Sequence, residues 1–385
     1  MHRVLVLGAG KIGSLLSGLL AASGDYQVDL ADVNGHAAQA VAAGHKLANI
    51  KTHQVDARNA EALEKQLKAH GVDAVISSLP YFCNPSVAEA ARKFNLHYFD
   101  LTEDVEVTRA VTKTAAGASS VFAPQCGLAP GFISIAGNEL MSHFDEVQDV
   151  KLRVGALPQN SSSMSKYALT WSSDGVINEY GNLCYGIVNG KPATLLPLEG
   201  LETIQLEGRL YEAFNTSGGL GSLAETWGGK LRNLSYKTMR YPGHCEIMRV
   251  LMNDMRLNEH RDEFKAILER AVPRTVQDVV LVYVSVTGMQ HGKFMEENYM
   301  NATYPQEIAG KLWSAIQVTT SAGVCAVVDL VLKKPGAYKG LVKQEQFKLG
   351  DVLANRFGKA YAQAETAELS ARLVRTGEAV KQFVA

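Results

Sequence analysis

The run Val4-Leu5-Val6-Leu7, followed at once by Gly8-Ala9-Gly10-Lys11-Ile12-Gly13, constrains this chain more than any other segment. Four apolar residues closed by a glycine read as a buried strand, and Ile12–Ala22, rich in Leu and Ala, reads as the helix that follows. Gly8 permits a tight turn, Gly10 lets phosphates approach the backbone, and Gly13 lets the helix pack closely on the sheet. The unpaired N–H groups of the helix start then offer partial positive charge to an anion. An acidic residue suited to a ribose arrives as Asp32, about 20 residues beyond the last glycine. Together these predict a dinucleotide site.

A carboxylate at that place accepts hydrogen bonds from ribose hydroxyls and repels a 2′-phosphate, and the next residues, Val33 and Asn34, supply no cation. NAD is therefore expected in preference to NADP. Asp56-Ala57 and Ser77-Ser78-Leu79 follow the third and fourth strand-like runs. They fall at strand carboxyl ends, the edge along which open α/β sheets bind ligands. With the glycine loop (Gly8, Gly10, Lys11, Ile12, Gly13), Asp32 and Val33, they make the expected cofactor set.

Strand-like and helix-like segments alternate as far as Ser120–Ala123, which implies βαβ units and a parallel sheet. Beyond about residue 130 the period changes: Val150–Val154, Thr203–Leu206 and Tyr236–Arg240 alternate with period two, and Tyr299–Tyr304 is a partner for Val279–Val286. Gln306–Leu332 and Val352–Thr376 read as helices. The expected class is α/β. A Rossmann doubly wound parallel sheet (1–128) precedes a second α/β domain with a mixed or antiparallel sheet (129–305). A C-terminal helical segment (306–385) returns to the first domain.

Composition removes the large partners. Length suits two or three domains, and 38 Lys and Arg against 39 Asp and Glu leave a net charge of −1, with no basic excess for nucleic acid or an anionic membrane. The uncharged, largely apolar stretch Leu312–Val328 is shorter than the ~20 apolar residues of a span and reads as a buried helix. Five scattered cysteines without a CxxC pair or zinc-like spacing imply free thiols, a reducing cytoplasm and no metal. The strand that begins at Val4 leaves no room for a signal peptide, so a cytoplasmic protein is expected. Sequences of the HExxH, GxxxxGK[ST] and GxSxG types are absent.

Further segments carry a resemblance. Ser77-Ser78-Leu79-Pro80-Tyr81, Cys126-Gly127-Leu128-Ala129-Pro130-Gly131 and Tyr167-Ala168-Leu169-Thr170-Trp171-Ser172-Ser173 are followed by Phe214-Asn215-Thr216-Ser217-Gly218-Gly219 and Arg240-Tyr241-Pro242-Gly243-His244. In this order, from residue 4 to about 260, the series resembles the saccharopine dehydrogenase family, in its saccharopine reductase and lysine 6-dehydrogenase branch. The resemblance implies a substrate domain that forms a homodimer, and oxidation or reductive formation of a C–N bond in a lysine-pathway amino acid. Where the saccharopine reductases tend to carry Arg after Trp-Ser-Ser, this chain has Asp174, and Glu179 follows. Saccharopine has three carboxylates, whereas Asp174 and Glu179 suit an extra ammonium, which favours lysine or a similar diamino acid. Saccharopine cleavage to glutamate is the alternative, and a non-catalytic dinucleotide sensor is the alternative of another class.

Candidate chemistry follows from position. Tyr81, after the fourth strand, is a candidate to bind substrate or relay a proton, against packing of the turn. Asp100, Glu103 and Asp104 follow the fifth strand; Asp104 is the candidate for the substrate ammonium, with helix capping as its rival role. His244 is the candidate proton acceptor and substrate contact, against a satisfied core histidine. Arg240 is a candidate for an α-carboxylate. Asn215, Thr216 and Ser217 offer donors to a carboxylate. Nothing beside Cys126 lowers its thiol pKa, so its expected use is a backbone contact with the nicotinamide carboxamide.

Overall fold

The computed structural model describes residues 1–161 and 163–362. Six parallel strands run through the first third: β1 (His2–Leu7), β2 (Tyr26–Asp32), β3 (Ile50–Gln54), β4 (Ala74–Ser77), β5 (His97–Asp100) and β6 (Val121–Ala123). Their order is β6-β5-β4-β1-β2-β3, so the strand order reverses between β1 and β4 and opens a crevice at their carboxyl ends. Val4 to Leu7 are buried on both faces of the sheet, which explains their continuous apolar run.

The second sheet is mixed. It comprises β7 (Glu146–Pro158), β8 (Cys184–Val188), β9 (Lys191–Leu195), β10 (Glu202–Leu206), β11 (Arg209–Asn215), β12 (Leu231–Arg240), β13 (Asp278–Gln290) and β14 (Lys293–Thr303). Its path is β10-β11-β12-β7-β13-β14, with β12 and β7 parallel and the other pairs of the path antiparallel. The expected partnership of β13 with the 299–304 region is present, with Val284 opposite Tyr299.

The C-terminal part departs from the expected helices. Residues 306–313 form a hairpin, β15 (Gln306–Ile308) with β16 (Lys311–Trp313), and not the first turns of a helix. Ala309 and Gly310 at its tip both have positive φ, 53° and 73°, the geometry of a tight two-residue turn. The helix starts only at Ala315, where Ser314 and Gln317 form a capping box and the Asp278 carboxylate accepts the Ala315 and Ile316 N–H groups. This Ala315–Lys333 helix is long and apolar enough to cross a membrane, yet 89% of that stretch is buried inside the fold. In the expected helix 352–376, only the short Leu349–Ala354 helix and a 3₁₀ turn, Gly358–Tyr361, precede the end of the described residues.

The Ala315–Lys333 helix packs on the Lys11–Ala22 helix, and β17 (Gly340–Leu341) adds a parallel edge strand to β6. Tyr26 donates to Asp329 at 2.8 Å, and the Phe132 and Tyr361 rings stack at 3.7 Å. All five cysteines are free and buried.

Candidate active site

The glycine loop has the three properties that its spacing predicts. Gly8 has φ +100°. A Cβ on Gly13 would lie 1.9 Å from the Gly8 carbonyl oxygen, so no larger residue fits. At Gly10, the residue capping the Lys11–Ala22 helix, a Cβ would meet nothing within 4 Å, which leaves the approach to the helix N–H groups open. Asp32 ends β2; its Oδ2 accepts the Ala9 N–H at 2.7 Å and its Oδ1 the Asn34 N–H at 2.8 Å. Each oxygen keeps a further lone pair for a ribose. Val33 is exposed beside it.

Other residues of the expected cofactor set have different occupations. Asp56 is paired with Arg58 through two side-chain hydrogen bonds, and Ala57 is buried in the core. Ser77 is fully buried and donates to Asn84 at 2.7 Å, which leaves it no ligand role. Ser78 bonds the Leu7 and Gly8 carbonyls and so braces the loop from behind. The Cys126 thiol is sealed in the core, donates to the Ala123 carbonyl at 3.0 Å, and is pushed well up by burial.

A cavity of about 460 Å³ opens between the carboxyl edge of the first sheet and the second sheet. Lys11, Ile12, Ser78, Leu79 and Tyr81 line one side, and Glu179, Thr238, Arg240 and Arg274 line the other, with Glu103 between them. Lys11 reaches across to the Thr170 carbonyl at 3.3 Å; burial, then Arg274, lowers its pKa. The Tyr81 phenol is raised by burial, then by Asp104 and Glu103, so it is a neutral donor.

Arg240 is 2% exposed, yet no carboxylate of the described residues lies within ion-pair distance of it. Its Nε donates to the Tyr180 hydroxyl at 2.9 Å and its Nη1 to the Met239 carbonyl at 2.9 Å. The guanidinium lies over the Tyr167 ring, 5.1 Å from the centroid. Burial opposes its charge, but Tyr180, Tyr167 and Glu179 more than offset this and keep it protonated.

Two carboxylates share the cavity. Burial pushes Glu179 up to about 8, with Arg240 opposing and Glu103 adding to the rise. Burial pushes Glu103 up to about 7, its own N–H opposing and Asp104, Asp100 and Asp174 adding. Neither accepts a hydrogen bond from another residue's side chain among the described residues.

Three sequence expectations are corrected here. Asp104 is a helix cap: its Oδ1 accepts the Val107 N–H at 2.9 Å, and Glu103, one residue earlier, is the acid that reaches the cavity. His244 is fully buried and does not line the cavity; burial, then Arg240, depresses it to about 3, so it cannot act as a near-neutral base. Asn215 and Ser217 donate to the Leu196 and Leu183 carbonyls, while the buried Thr216 hydroxyl has no partner among the described residues, and none of the three lines the cavity. Tyr180 was not singled out from sequence. Its signal was local: Asn178-Glu179-Tyr180 places polar groups on a helix stretch that is buried throughout.

Residues 4–123 match the family model described as the saccharopine dehydrogenase NADP binding domain, and residues 127–359 match the saccharopine dehydrogenase C-terminal domain. The fold is similar to that of apo saccharopine dehydrogenase (L-Glu forming) from Saccharomyces cerevisiae, with TM-score 0.76 at 17% identity over 94% of this chain and 98% of that one. A myo-inositol dehydrogenase from Corynebacterium glutamicum aligns at TM-score 0.45 and 12% identity, over 93% and 95% of the two chains. An engineered D-amino acid dehydrogenase bound to NADP+ aligns at 0.47 and 13%, over 96% and 99%.

Proposed function

Because the chain belongs to the saccharopine dehydrogenase family, we propose that it oxidises a C–N bond of lysine or a similar diamino acid, with NAD as the hydride acceptor. At the coarser level it is an oxidoreductase of that family with a nucleotide-binding domain.

One observation carries the finer reading. Arg240, a buried guanidinium without a carboxylate partner among the described residues, shares a cavity with Glu103 and Glu179, two acids that lack side-chain donors among the same residues. An amino acid supplies both missing charges: its carboxylate suits Arg240 through a bidentate fork, and an ammonium suits the acids. Lysine carries one carboxylate and two nitrogens, in keeping with the one buried cation and the two acids that lack side-chain partners among the described residues.

The residues present fit a dinucleotide. Gly8, Gly10, Gly13 and the helix N–H groups would hold the pyrophosphate, and Asp32 the ribose. Bound there, the nicotinamide supplies the hydride acceptor. The amine must lose a proton before its carbon can give up hydride, and acids at about 7 and about 8 are matched to take it near neutrality. Tyr81 can donate a hydrogen bond but not accept that proton as a phenolate. Asp32 supports NAD; the description of the matching model as an NADP binding domain favours NADP, so the experiment includes both.

Saccharopine is the second reading. Lys11 and Arg274 line the same cavity and give further cations for a substrate with three carboxylates. The test is formation of reduced cofactor with lysine and with saccharopine, each with NAD and NADP. Turnover of lysine with NAD is expected. Turnover of saccharopine alone selects the second reading, and tight cofactor binding without turnover of either points to a dinucleotide sensor.

A further inference from the structure

We propose that Tyr180 and His244 are positioning residues that aim Arg240 at the substrate carboxylate, through a hydrogen-bond chain that can run in only one direction. A guanidinium only donates, so the Tyr180 oxygen must accept from Arg240 Nε at 2.9 Å. The Tyr180 proton must then go to its other neighbour, His244 Nε2, at 3.0 Å. That nitrogen is therefore bare, and the ring hydrogen sits on Nδ1, where it donates to the Ser165 carbonyl at 2.7 Å. A carbonyl cannot donate, so the chain ends there with Tyr180 and His244 both satisfied. His244 in its neutral form is the only state compatible with this order.

The elements that carry the chain are separate in sequence. Tyr180 lies on the Ser173–Gly181 helix, Arg240 ends β12, and His244 opens the short His244–Arg249 helix after a turn whose Gly243 has φ +98°. The chain fixes Nε, and the Met239 carbonyl takes one hydrogen of Nη1. What remains is Nη2 and the second hydrogen of Nη1, the end-on pair that a carboxylate accepts. Without Tyr180 the guanidinium could rotate, and its buried Nε–H would be orphaned.

This inference rests on the reading of Arg240 as a carboxylate anchor, and the experiment separates the two. Lysine and its decarboxylated counterpart, 1,5-diaminopentane, are compared as substrates of the wild type, Tyr180→Phe, His244→Phe and His244→Asn. Tyr180→Phe and His244→Phe should raise KM for lysine about tenfold, with kcat within about threefold, while KM for the diamine moves by less than twofold. His244→Asn, which keeps an acceptor for Tyr180 and a donor for Ser165, should recover part of the loss. Equal effects on both substrates, or no effect on lysine, would overturn the proposal.

A second readout does not depend on turnover. The side-chain Nε–H of Arg240, followed by ¹⁵N NMR of the full chain, should be slowly exchanging in the wild type and fast in Tyr180→Phe. Slow exchange in both overturns the relay even where lysine proves not to be the substrate. Loss of protection without lysine turnover supports the relay and removes only the substrate assignment.

Discussion

The Asp32 carboxylate sits 2.7 Å from the backbone nitrogen of Ala9 and accepts its hydrogen, so the residue proposed to read the ribose also ties down the glycine loop. Asp32→Ala should therefore have two effects. The kcat/KM ratio of NAD over NADP should fall at least tenfold, and KM should rise for both because the loop loses an anchor. Steady-state kinetics with the two cofactors in parallel measures both; an unchanged ratio would mean that Asp32 does not meet the ribose.

Two neighbouring glycines should respond differently to the same methyl group. Gly13→Ala places a Cβ 1.9 Å from a backbone oxygen and should destabilise the protein by ~1–3 kcal/mol or more. Gly10→Ala meets no atom of the fold, and its φ of −74° is ordinary, so the melting temperature should move by at most a degree or two. The methyl group would occupy the approach of the pyrophosphate, and cofactor affinity should fall tenfold or more. Thermal melts and fluorescence titration with reduced cofactor separate the effects.

The pH dependence of turnover should follow the acids and not His244. Glu103 at about 7 and Glu179 at about 8 lose their protons as pH rises, so kcat/KM for the amine substrate should climb through that window and then level. Glu179→Gln removes the group at about 8, which Glu103 helps to raise, and leaves Glu103 at about 7. The rise should shift to lower pH and the plateau should fall 10- to 100-fold. His244→Asn should leave the position of the rise unchanged, since that imidazole stays neutral down to about 3.

Stability should follow the same carboxylate with a sign set by its direction of shift. Glu179 is raised from 4.5 to about 8 by the fold, so its contribution is complete below pH 4.5 and is lost as pH rises through 8. The ligand-free protein should melt a few degrees lower at the alkaline end. Glu179→Gln should flatten that decline. His244 acts in the other direction: depressed from 6.5 to about 3, it supports the fold above 6.5 and withdraws that support as pH falls towards 3. Melting curves across pH, for wild type, Glu179→Gln and His244→Asn, distinguish the contributions.

Much of the architecture was legible because parallel strands buried on both faces leave unbroken apolar runs, as Val4–Leu7 does. The glycine loop was legible because its three positions have separate steric demands. Local chemistry was harder. Asp104 and Glu103 are adjacent acids after one strand, and only the start of the Val105–Ala115 helix decides which becomes the cap. His244 carries the same letters whether it faces substrate or core; its burial is produced by the Ser173–Gly181 helix and the 165 region, far away in sequence. Asn215 and Ser217 looked like donors awaiting a ligand, but the 183 and 196 carbonyls that take their hydrogens were invisible in the sequence pattern. The 306–313 hairpin was missed because a single Ala-Gly pair at its tip outweighs the apolar content around it.

The closing strand β17 changes how the chain must be made. The ribosome releases the whole cofactor-binding sheet about two hundred residues before residues 340–341 emerge to cover the edge of β6. Until the Ala315–Lys333 helix arrives, the Lys11–Ala22 helix also lacks the partner it packs on in the finished molecule. A nascent chain therefore carries an open sheet edge and an uncovered apolar helix through most of its synthesis, the condition under which strands pair with the wrong neighbour. The first domain in sequence is among the last to be completed, and a fragment cut near residue 128 inherits that exposure permanently.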